Sequence, residues 1–184
     1  MGKLIGITGF ATSGKDTFFK YASSILSKDK LNSRRVAFAD ALKSELDPLL
    51  MKNLNISSFT SDKEEKELIR PLLVTYGTYL RRKLDPDCWI KSIKSDVSSY
   101  LSNGDVVFIT DIRFKNEAYW VKSEGGCLIN IERSGIGPAN KDEEGQQPLI
   151  DPYVDHYVQW ETFGESHLDD CNSKVLEVLN KIID

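Results

Sequence analysis

A lysine that could bind phosphate lies near the start of the chain, at the end of a loop bounded by two glycines. The segment reads Gly9-Phe-Ala-Thr-Ser-Gly14-Lys15; a short apolar run precedes it and an amphipathic segment follows. Glycine permits backbone angles that turn the loop N–H groups inward, and the following helix N-terminus adds partial positive charge. This spacing favours a phosphate-binding loop over a strand–turn–helix with a chance Gly-Lys pair. The expected phosphate-binding residues are Gly9, Thr12, Ser13, Gly14, Lys15, Asp16 and Thr17.

The residue after this lysine is acidic. Phosphate loops usually carry Ser or Thr there, with a hydroxyl that reaches Mg²⁺; here Asp16 takes that position and Thr17 follows. A carboxylate can serve Mg²⁺ directly or through a water molecule, so Asp16 is the candidate metal residue. The alternative is that Asp16 or Thr17 caps the N-terminus of the helix.

Polar residues also follow two other predicted strands. Asp40 comes after a short apolar segment, and Asp111 and Arg113 come after the continuous apolar run 106–109. Because ligands of an open parallel sheet collect at the carboxyl ends of its strands, Asp111 is a candidate for the magnesium shell. Arg113 can clamp a phosphate with two hydrogen bonds. The alternatives are a strand-end turn or cap at Asp111 and a surface salt bridge between Arg113 and Glu117.

A second basic group lies in the middle of the chain. It consists of Arg70, Arg81, Arg82 and Lys83. Part of it is expected to be a solvated helix face, but phosphoryl transfer between two nucleotides would need several cations beyond Lys15. Trp89 could stack on a base. Its spacing with Ile93 and Val97 favours a place in the core instead.

Composition narrows the function class. A length of 184 residues suggests one domain with a sizeable core, and a net charge of −4 argues against a dedicated nucleic-acid binder. The three cysteines are widely spaced and read as reduced thiols, and both histidines are isolated from any catalytic or metal-binding pattern. The sequence shows no secretion signal and no membrane-spanning run, so we expect a cytoplasmic protein.

Strand and helix signals alternate along the chain, which predicts an α/β fold with a central parallel sheet. The predicted strands are Leu4–Thr8, Val36–Phe38, Val106–Thr110 and Leu128–Ile131. The predicted helices are 39–51 with an interruption at Pro48, 63–70, 71–84 starting at Pro71, 87–102, 115–123 and a final helix. Residues 134–152 are rich in Gly, Pro and polar side chains, which predicts a long lid-like loop.

Several motifs, in this order, resemble the deoxynucleoside monophosphate kinases of bacteriophages. They are Thr8-Gly9…Ser13-Gly-Lys-Asp-Thr17, Phe38-Ala-Asp-Ala-Leu-Lys43, Arg70…Gly77-Thr78…Arg82…Trp89 and Asp111-Ile-Arg113-Phe…Asn116-Glu117. The resemblance extends from residue 3 to about residue 133. Ser-Gly-Lys-Asp-Thr also recurs in phosphomevalonate kinases, which share this architecture, whereas the Gly-Thr…Arg…Trp block favours the nucleotide enzymes.

The resemblance implies a three-layer P-loop kinase fold of the nucleoside monophosphate kinase type, in one domain over 1–184. Within it, residues 39–90 would form an acceptor-binding helical region and residues 134–152 a lid-like loop. The implied reaction transfers the γ-phosphoryl group of ATP to a deoxynucleoside monophosphate, with Mg²⁺ as cofactor. Another small-molecule kinase, of the phosphomevalonate or dephospho-coenzyme A type, and a regulatory nucleotide-binding ATPase stay open as alternatives.

The resemblance also implies the roles of individual residues. The loop residues named above would bind ATP, and Lys15, Asp111 and Arg113 would be catalytic. The acceptor would be bound by Asp40, Lys43, Arg70, Gly77, Thr78, Arg82, Trp89, Asp111, Arg113 and Glu117. The implied partners are nucleotides rather than nucleic acid polymers or membranes, with a homodimer left open and the host cytoplasm as location if a phage encodes the chain.

Two features depart from the family pattern. Family members can carry basic residues inside the loop, where this chain has Ala11 and Thr12. The charge of the phosphates must then be met by residues elsewhere in the site. The segment from Tyr153 to Phe163, at the end of the lid, matches the family poorly.

Overall fold

A five-stranded parallel sheet forms the centre of the computed structural model, which describes residues 2–160 and 168–183. The strands are β1 (Lys3–Thr8), β2 (Ser33–Val36), β3 (Val106–Ile109), β4 (Cys127–Arg133) and β5 (His156–Trp160). Their order is β2-β3-β1-β4-β5, and every neighbouring pair is parallel. The predicted α/β fold with a central parallel sheet is therefore confirmed.

The α-helices of the described residues are α1 (Lys15–Lys28), α2 (Phe38–Leu54), α3 (Lys63–Val74), α4 (Arg82–Leu84), α5 (Cys88–Ser102), α6 (Lys115–Ser123), α7 (Lys141–Ile150) and α8 (Leu168–Ile183). Helices α1, α8 and α6 pack against the two faces of this sheet. Apolar residues of α1 and α8, including Phe18 and Val175, pack with Ile5 and Ile7 on one face. Val121 of α6 approaches Gly6 on the opposite face. None of the helices within the described ranges is long and apolar enough to cross a membrane.

The central strands are mostly apolar because both faces of the sheet are covered. All four residues of β3 are buried, and so are the last five residues of β1. These continuous apolar runs made β1, β3 and β4 predictable.

The second strand differs from its prediction. It covers Ser33–Val36 rather than Val36–Phe38, and Phe38 begins α2. The ladder ends where Val36 pairs with Ile109, the last residue of β3. Because β2 lies at the sheet edge, it accommodates charged side chains such as Arg34, whose Nε lies 2.9 Å from Asp105. Because β2 contains charged residues, it is not an apolar run of the kind by which the other strands were predicted.

Pro48 and Pro71 lie inside helices, contrary to the prediction. Helix α2 continues through Pro48, and α3 continues through Pro71, where a helix start was predicted. Asp62 caps α3 instead, since its side chain accepts a hydrogen bond from the N–H of Glu65. A π-helical segment, Thr75–Arg81, then leads into α4. Residues 71–84 are thus helical as predicted, with a local change of helix type.

The predicted lid-like loop is also largely helical. Residues 141–150 form α7, and Asp151–Tyr153 form a single 3₁₀ turn before β5. Asn140 caps α7 by accepting a hydrogen bond from the N–H of Glu143 at 2.9 Å, and three acidic residues lie in its first turn. Both features favour a helix N-terminus and outweigh the helix-breaking tendency of Gly145 and Pro148.

The chain divides into two compact units. One consists of Met1–Val36 with Asp96–Asp184 and contains the sheet; the other is the helical segment Ala37–Ser95. The helical unit has its own small apolar core, formed by Leu46, Leu50 and Ile69. The acceptor-binding region predicted at 39–90 lies within this unit, and its role stays a prediction.

Candidate functional site

The loop between β1 and α1 has the backbone of a phosphate-binding loop, with glycine where a side chain could not fit. Gly9 has a φ of +130° and Gly14 a φ of +101°. A Cβ added to Gly9 would lie 2.2 Å from the carbonyl oxygen of Ile131 in β4. Glycine at position 9 therefore lets the loop pass directly against the neighbouring strand.

Inside the loop, two hydroxyl residues differ in environment. Thr12 is exposed, adopts a φ of +63°, and donates a hydrogen bond from its hydroxyl to the carbonyl of Ala11 at 2.6 Å. Ser13 is buried, and its Oγ has no hydrogen-bond partner among the residues that the structure describes. A buried polar atom without a partner is costly, which is consistent with a ligand or water at this position.

Lys15 begins α1 and turns back over the loop. Its Nζ donates hydrogen bonds to the carbonyls of Gly9 and Phe10, at 2.8 and 2.7 Å. Burial, and after it the nearby positive charge of Arg113, lower the pKa of Lys15 to about 8. The charges of Glu143, Asp16 and Asp111 oppose this shift. The ammonium therefore sits among the charged residues expected at the site.

The first turn of α1 answers the question left open for Asp16 and Thr17. The N-cap residue is Gly14, and no side chain caps the helix there. Both residues instead lie within the first turn and are exposed. The Asp16 side chain is 88% exposed, with its carboxylate 3.9 Å from Arg35 Nε. Its carboxylate is thus accessible to a cation at the mouth of the loop.

The segment after β3 is attached to the start of the phosphate loop. The N–H of Ile112 donates to the carbonyl of Ile7 at 3.1 Å, and the hydroxyl of Thr8 donates to the carbonyl of Ile112 at 3.0 Å. These two bonds bring Asp111 and Arg113 to the phosphate loop, as predicted from the parallel strand ends. Asp111 is half-buried and Arg113 is exposed.

Glu117 does not lie on the surface, as the salt-bridge alternative required. It is fully buried, and its Oε2 accepts hydrogen bonds from the backbone N–H groups of Arg113 and Phe114, at 2.8 and 3.0 Å. The carboxylate thereby caps α6 and fixes the backbone at Arg113. The guanidinium of Arg113 itself reaches Glu143, 3.5 Å away.

Glu143 was not identified from the sequence. Its Oε2 accepts the N–H of Ala11 in the phosphate loop at 3.3 Å and that of Ala139 at 3.0 Å. Residues 134–152 were predicted to form a loop, and a loop suggests no particular direction for a side chain such as that of Glu143. The spacing of Asn140 and Glu143, typical of a capped helix start, was the available signal.

In the helical unit, four of the predicted acceptor residues are linked to neighbours in that unit. The Lys43 ammonium lies 5.5 Å from the centre of the Phe59 ring. The Arg82 guanidinium donates to the carbonyl of Pro86 at 3.4 Å. The indole N–H of Trp89 donates to the carbonyl of Gly77 at 3.2 Å.

Trp89 lies in the core rather than at an open stacking surface. The residue is 3% exposed, and the Arg81 guanidinium covers its ring at 5.5 Å. The base-stacking role is therefore not supported, because the ring faces are packed. We interpret Trp89 as a residue that positions Gly77, whose own close neighbour is Leu42.

The other predicted acceptor residues occupy separate helical positions. Asp40 lies in the first turn of α2, Arg70 is exposed on α3, and Thr78 is half-buried in the π-helical segment. Their roles in binding an acceptor stay predictions.

No group of three or more metal-ligating side chains occurs within residues 2–160 and 168–183. This is compatible with Mg²⁺, which typically takes one or two carboxylates from the protein and completes its shell with phosphate oxygens and water. The exposed Asp16 and the nearby Asp111 suit that pattern, since both carboxylates act on Lys15.

Comparison with known proteins places this site in a family. Residues 7–126, which include the phosphate loop and the segment after β3, match the family model described as phosphomevalonate kinase. The chain belongs to the phosphomevalonate kinase family. The chain is also 30% identical over 153 residues to the "Putative deoxynucleotide monophosphate kinase" of Acanthamoeba polyphaga mimivirus, covering 72% of this chain and 75% of that protein. This member is accordingly a P-loop small-molecule kinase, an ATP-dependent phosphotransferase.

Solved structures agree with the fold of this phosphomevalonate kinase family member. Shikimate kinase from Bacteroides thetaiotaomicron superposes with a TM-score of 0.53 at 11% identity, over 97% of this chain and 98% of that one. At this level of identity the similarity concerns the fold alone. It supports the central parallel sheet and its flanking helices.

Proposed function

We propose that the protein transfers the γ-phosphoryl group of ATP to a deoxynucleoside monophosphate. The observation that carries this proposal is the pair of cations at the phosphate loop. Arg113 stands close enough to Lys15 to lower the pKa of its ammonium. Two like charges held together favour an anionic ligand between them, and a phosphoryl group in transfer supplies it.

On the donor side, the loop N–H groups and Lys15 would hold the β- and γ-phosphates of ATP. The hydrogen bonds of Lys15 Nζ to Gly9 and Phe10 keep the ammonium over the loop. Asp16 and Asp111 would face Mg²⁺, Asp16 directly or through water. When bound, Mg²⁺ would neutralise charge on the phosphate oxygens.

On the acceptor side, Arg113 would bind the acceptor phosphate. Glu117 would position Arg113 through its hydrogen bonds to the backbone. The helical unit would bind the rest of the acceptor through Asp40, Lys43, Arg70, Gly77, Thr78 and Arg82. The 30% identity to a viral protein named for deoxynucleotide monophosphate kinase activity supports this choice of acceptor.

The chemistry would need no covalent enzyme intermediate. An acceptor phosphate is already an anion at neutral pH, so it can attack the γ-phosphorus of ATP in line without a general base. Catalysis would then consist of positioning the two substrates and neutralising charge. Lys15 and Arg113 supply the positive charge for positioning the substrates and for neutralising charge.

Phosphomevalonate is the second candidate acceptor. The family model that matches residues 7–126 carries the name of that activity. Both acceptors present a phosphate to Arg113, so the groups around the phosphate loop would serve either. The discriminating contacts would come from whatever binds the nucleoside or the mevalonate portion.

A substrate panel separates these candidates. ADP formation is measured with MgATP and each common deoxynucleoside monophosphate, phosphomevalonate, dephospho-coenzyme A or no acceptor. Turnover with at least one deoxynucleoside monophosphate supports the proposal. Turnover with phosphomevalonate alone would identify phosphomevalonate as the acceptor instead. ATP hydrolysis that ignores every acceptor would point to a regulatory ATPase instead.

The variant Lys15→Ala controls for contaminating kinases in that panel. It removes the cation expected to stabilise the transferring phosphoryl group, so kcat should fall by on the order of a hundredfold or more. Residual activity equal to wild type would assign the turnover to another protein in the preparation.

A further inference from the structure

A carboxylate from α7 contacts the phosphate loop. One oxygen of Glu143 accepts the N–H of Ala11 in that loop, and the other lies 3.5 Å from the Arg113 guanidinium. The side chain is only 11% exposed, and its charge acts on Lys15. Glu143 lies beyond residues 7–126, where the family model ends.

The groups around the Glu143 carboxylate are the ones that would hold phosphate. A loop N–H, an arginine and a lysine together form an anion-binding site, and the carboxylate offers the charge and acceptor oxygens that a phosphate would offer. Glu143 adds a negative charge beside both Lys15 and Arg113, in addition to the charges of Asp16 and Asp111 that act on Lys15.

The space left between α7 and the start of the phosphate loop is too small for a phosphate group. The cavity between the loop and α7, lined by Gly9, Arg113, Glu143 and Gln147 among others, has a volume of about 20 Å³. That is room for about one water molecule. A phosphate could reach the Ala11 N–H and the Arg113 guanidinium together only after the Glu143 carboxylate leaves.

We infer that Glu143 is an internal stand-in for a nucleotide phosphate, and that α7 must withdraw from the phosphate loop before ATP can bind. The inference rests on the ATP half of the proposed function and is independent of the acceptor. ATP competes with the Glu143 carboxylate for the same groups, so the apparent affinity falls with the fraction of molecules in which α7 is withdrawn. Glu143 thereby sets the affinity for the donor.

The contact also explains how α7 is placed. The carboxylate that reaches Ala11 simultaneously accepts the N–H of Ala139, and Asn140 caps the same turn. Replacing the Glu143 carboxylate with a neutral amide weakens the link between this turn and the loop. It leaves the Asn140 cap in place.

ATP binding by two matched variants tests the inference. Glu143→Gln removes the competing charge, and Glu144→Gln removes a neighbouring exposed charge of the same helix turn as control. By calorimetry without any acceptor, we expect Glu143→Gln to bind ATP about fivefold or more tightly than wild type and Glu144→Gln to stay within about twofold. An affinity of Glu143→Gln equal to or below that of wild type overturns the inference.

A second measurement needs no nucleotide. In the ligand-free protein, amide hydrogen exchange at Ala11 and Ala139 should be faster in Glu143→Gln than in wild type or Glu144→Gln, because both amides donate to this carboxylate. Unchanged exchange at both amides overturns the inference. Failure of every variant to bind ATP would contradict the proposed function, and the exchange rates would still decide the role of Glu143.

Discussion

The indole of Trp160 packs directly against Gly14 of the phosphate loop. A Cβ added to Gly14 would lie 2.9 Å from Trp160 Nε1, and Trp160 is fully buried as the last residue of β5. The end of an outer strand therefore fixes the point where the phosphate loop becomes helix α1.

We expect Gly14→Ala to destabilise the protein by about 2–4 kcal/mol, since backbone strain at positive φ adds to a clash with a buried ring. Gly104→Ala is the matched control: Gly104 has a φ of +84°, and a Cβ there meets nothing within 4 Å. Urea unfolding of both variants isolates the contact with Trp160. Equal losses of stability would show that strain alone matters at Gly14.

The lowered pKa of Lys15 should appear as a pH dependence of stability. The folded protein releases this proton near pH 8, whereas the unfolded chain holds it to about pH 10.5. Between these values the unfolded state binds more protons, so the stability of the ligand-free protein rises with pH because of Lys15. Below pH 8 the buried charge remains unfavourable.

Lys15→Met should therefore be more stable than wild type at pH 7, by up to about 3 kcal/mol. The difference in unfolding free energy between the two proteins should shrink as pH rises from 8 to 10. Other titrating groups cancel in that difference. A gap that does not change with pH would mean that Lys15 titrates normally.

Asp16→Asn should increase the Mg²⁺ concentration needed for half-maximal activity. The carboxylate is exposed at the mouth of the loop and caps no helix. Loss of its charge weakens a carboxylate-supported Mg²⁺ site by about tenfold. Magnesium titration of the initial rate, with melting temperature as the folding control, measures this effect. The same half-maximal concentration in both proteins would leave Asp16 without a metal role.

Arg113→Lys should lower kcat/KM for the acceptor by about tenfold or more and leave the dissociation constant of ATP within a few-fold of wild type. Lysine keeps the charge but cannot reproduce the two-pronged geometry of a guanidinium. The melting temperature should barely move, because the Arg113 side chain is 53% exposed and its contact with Glu143 is long, at 3.5 Å. Wild-type acceptor kinetics would remove Arg113 from the site.

The local sequence was sufficient to predict an element where the residues of one continuous segment define it. The apolar runs of β1, β3 and β4 predicted a parallel sheet, and Gly9, Gly14 and Lys15 predicted the phosphate loop. The carboxyl ends of parallel strands share one edge of the sheet, so the sequence alone assigns Asp111 and Arg113 to that edge. The same local reading misplaced β2 because its pairing depends on the register with β3.

The sequence by itself determined the α/β class, the phosphate loop and the presence of Lys15 and Arg113 at one sheet edge, because hydrophobic period and glycine spacing are properties of neighbouring residues. Only the tertiary structure decided that Trp160 packs on Gly14, that Glu117 is buried against backbone amides, and that Glu143 contacts the phosphate loop. These contacts join residues from 4 to 146 positions apart, and Glu143 reaches Ala11 across 132 positions. Each depends on where a side chain points after packing, which composition and spacing do not encode.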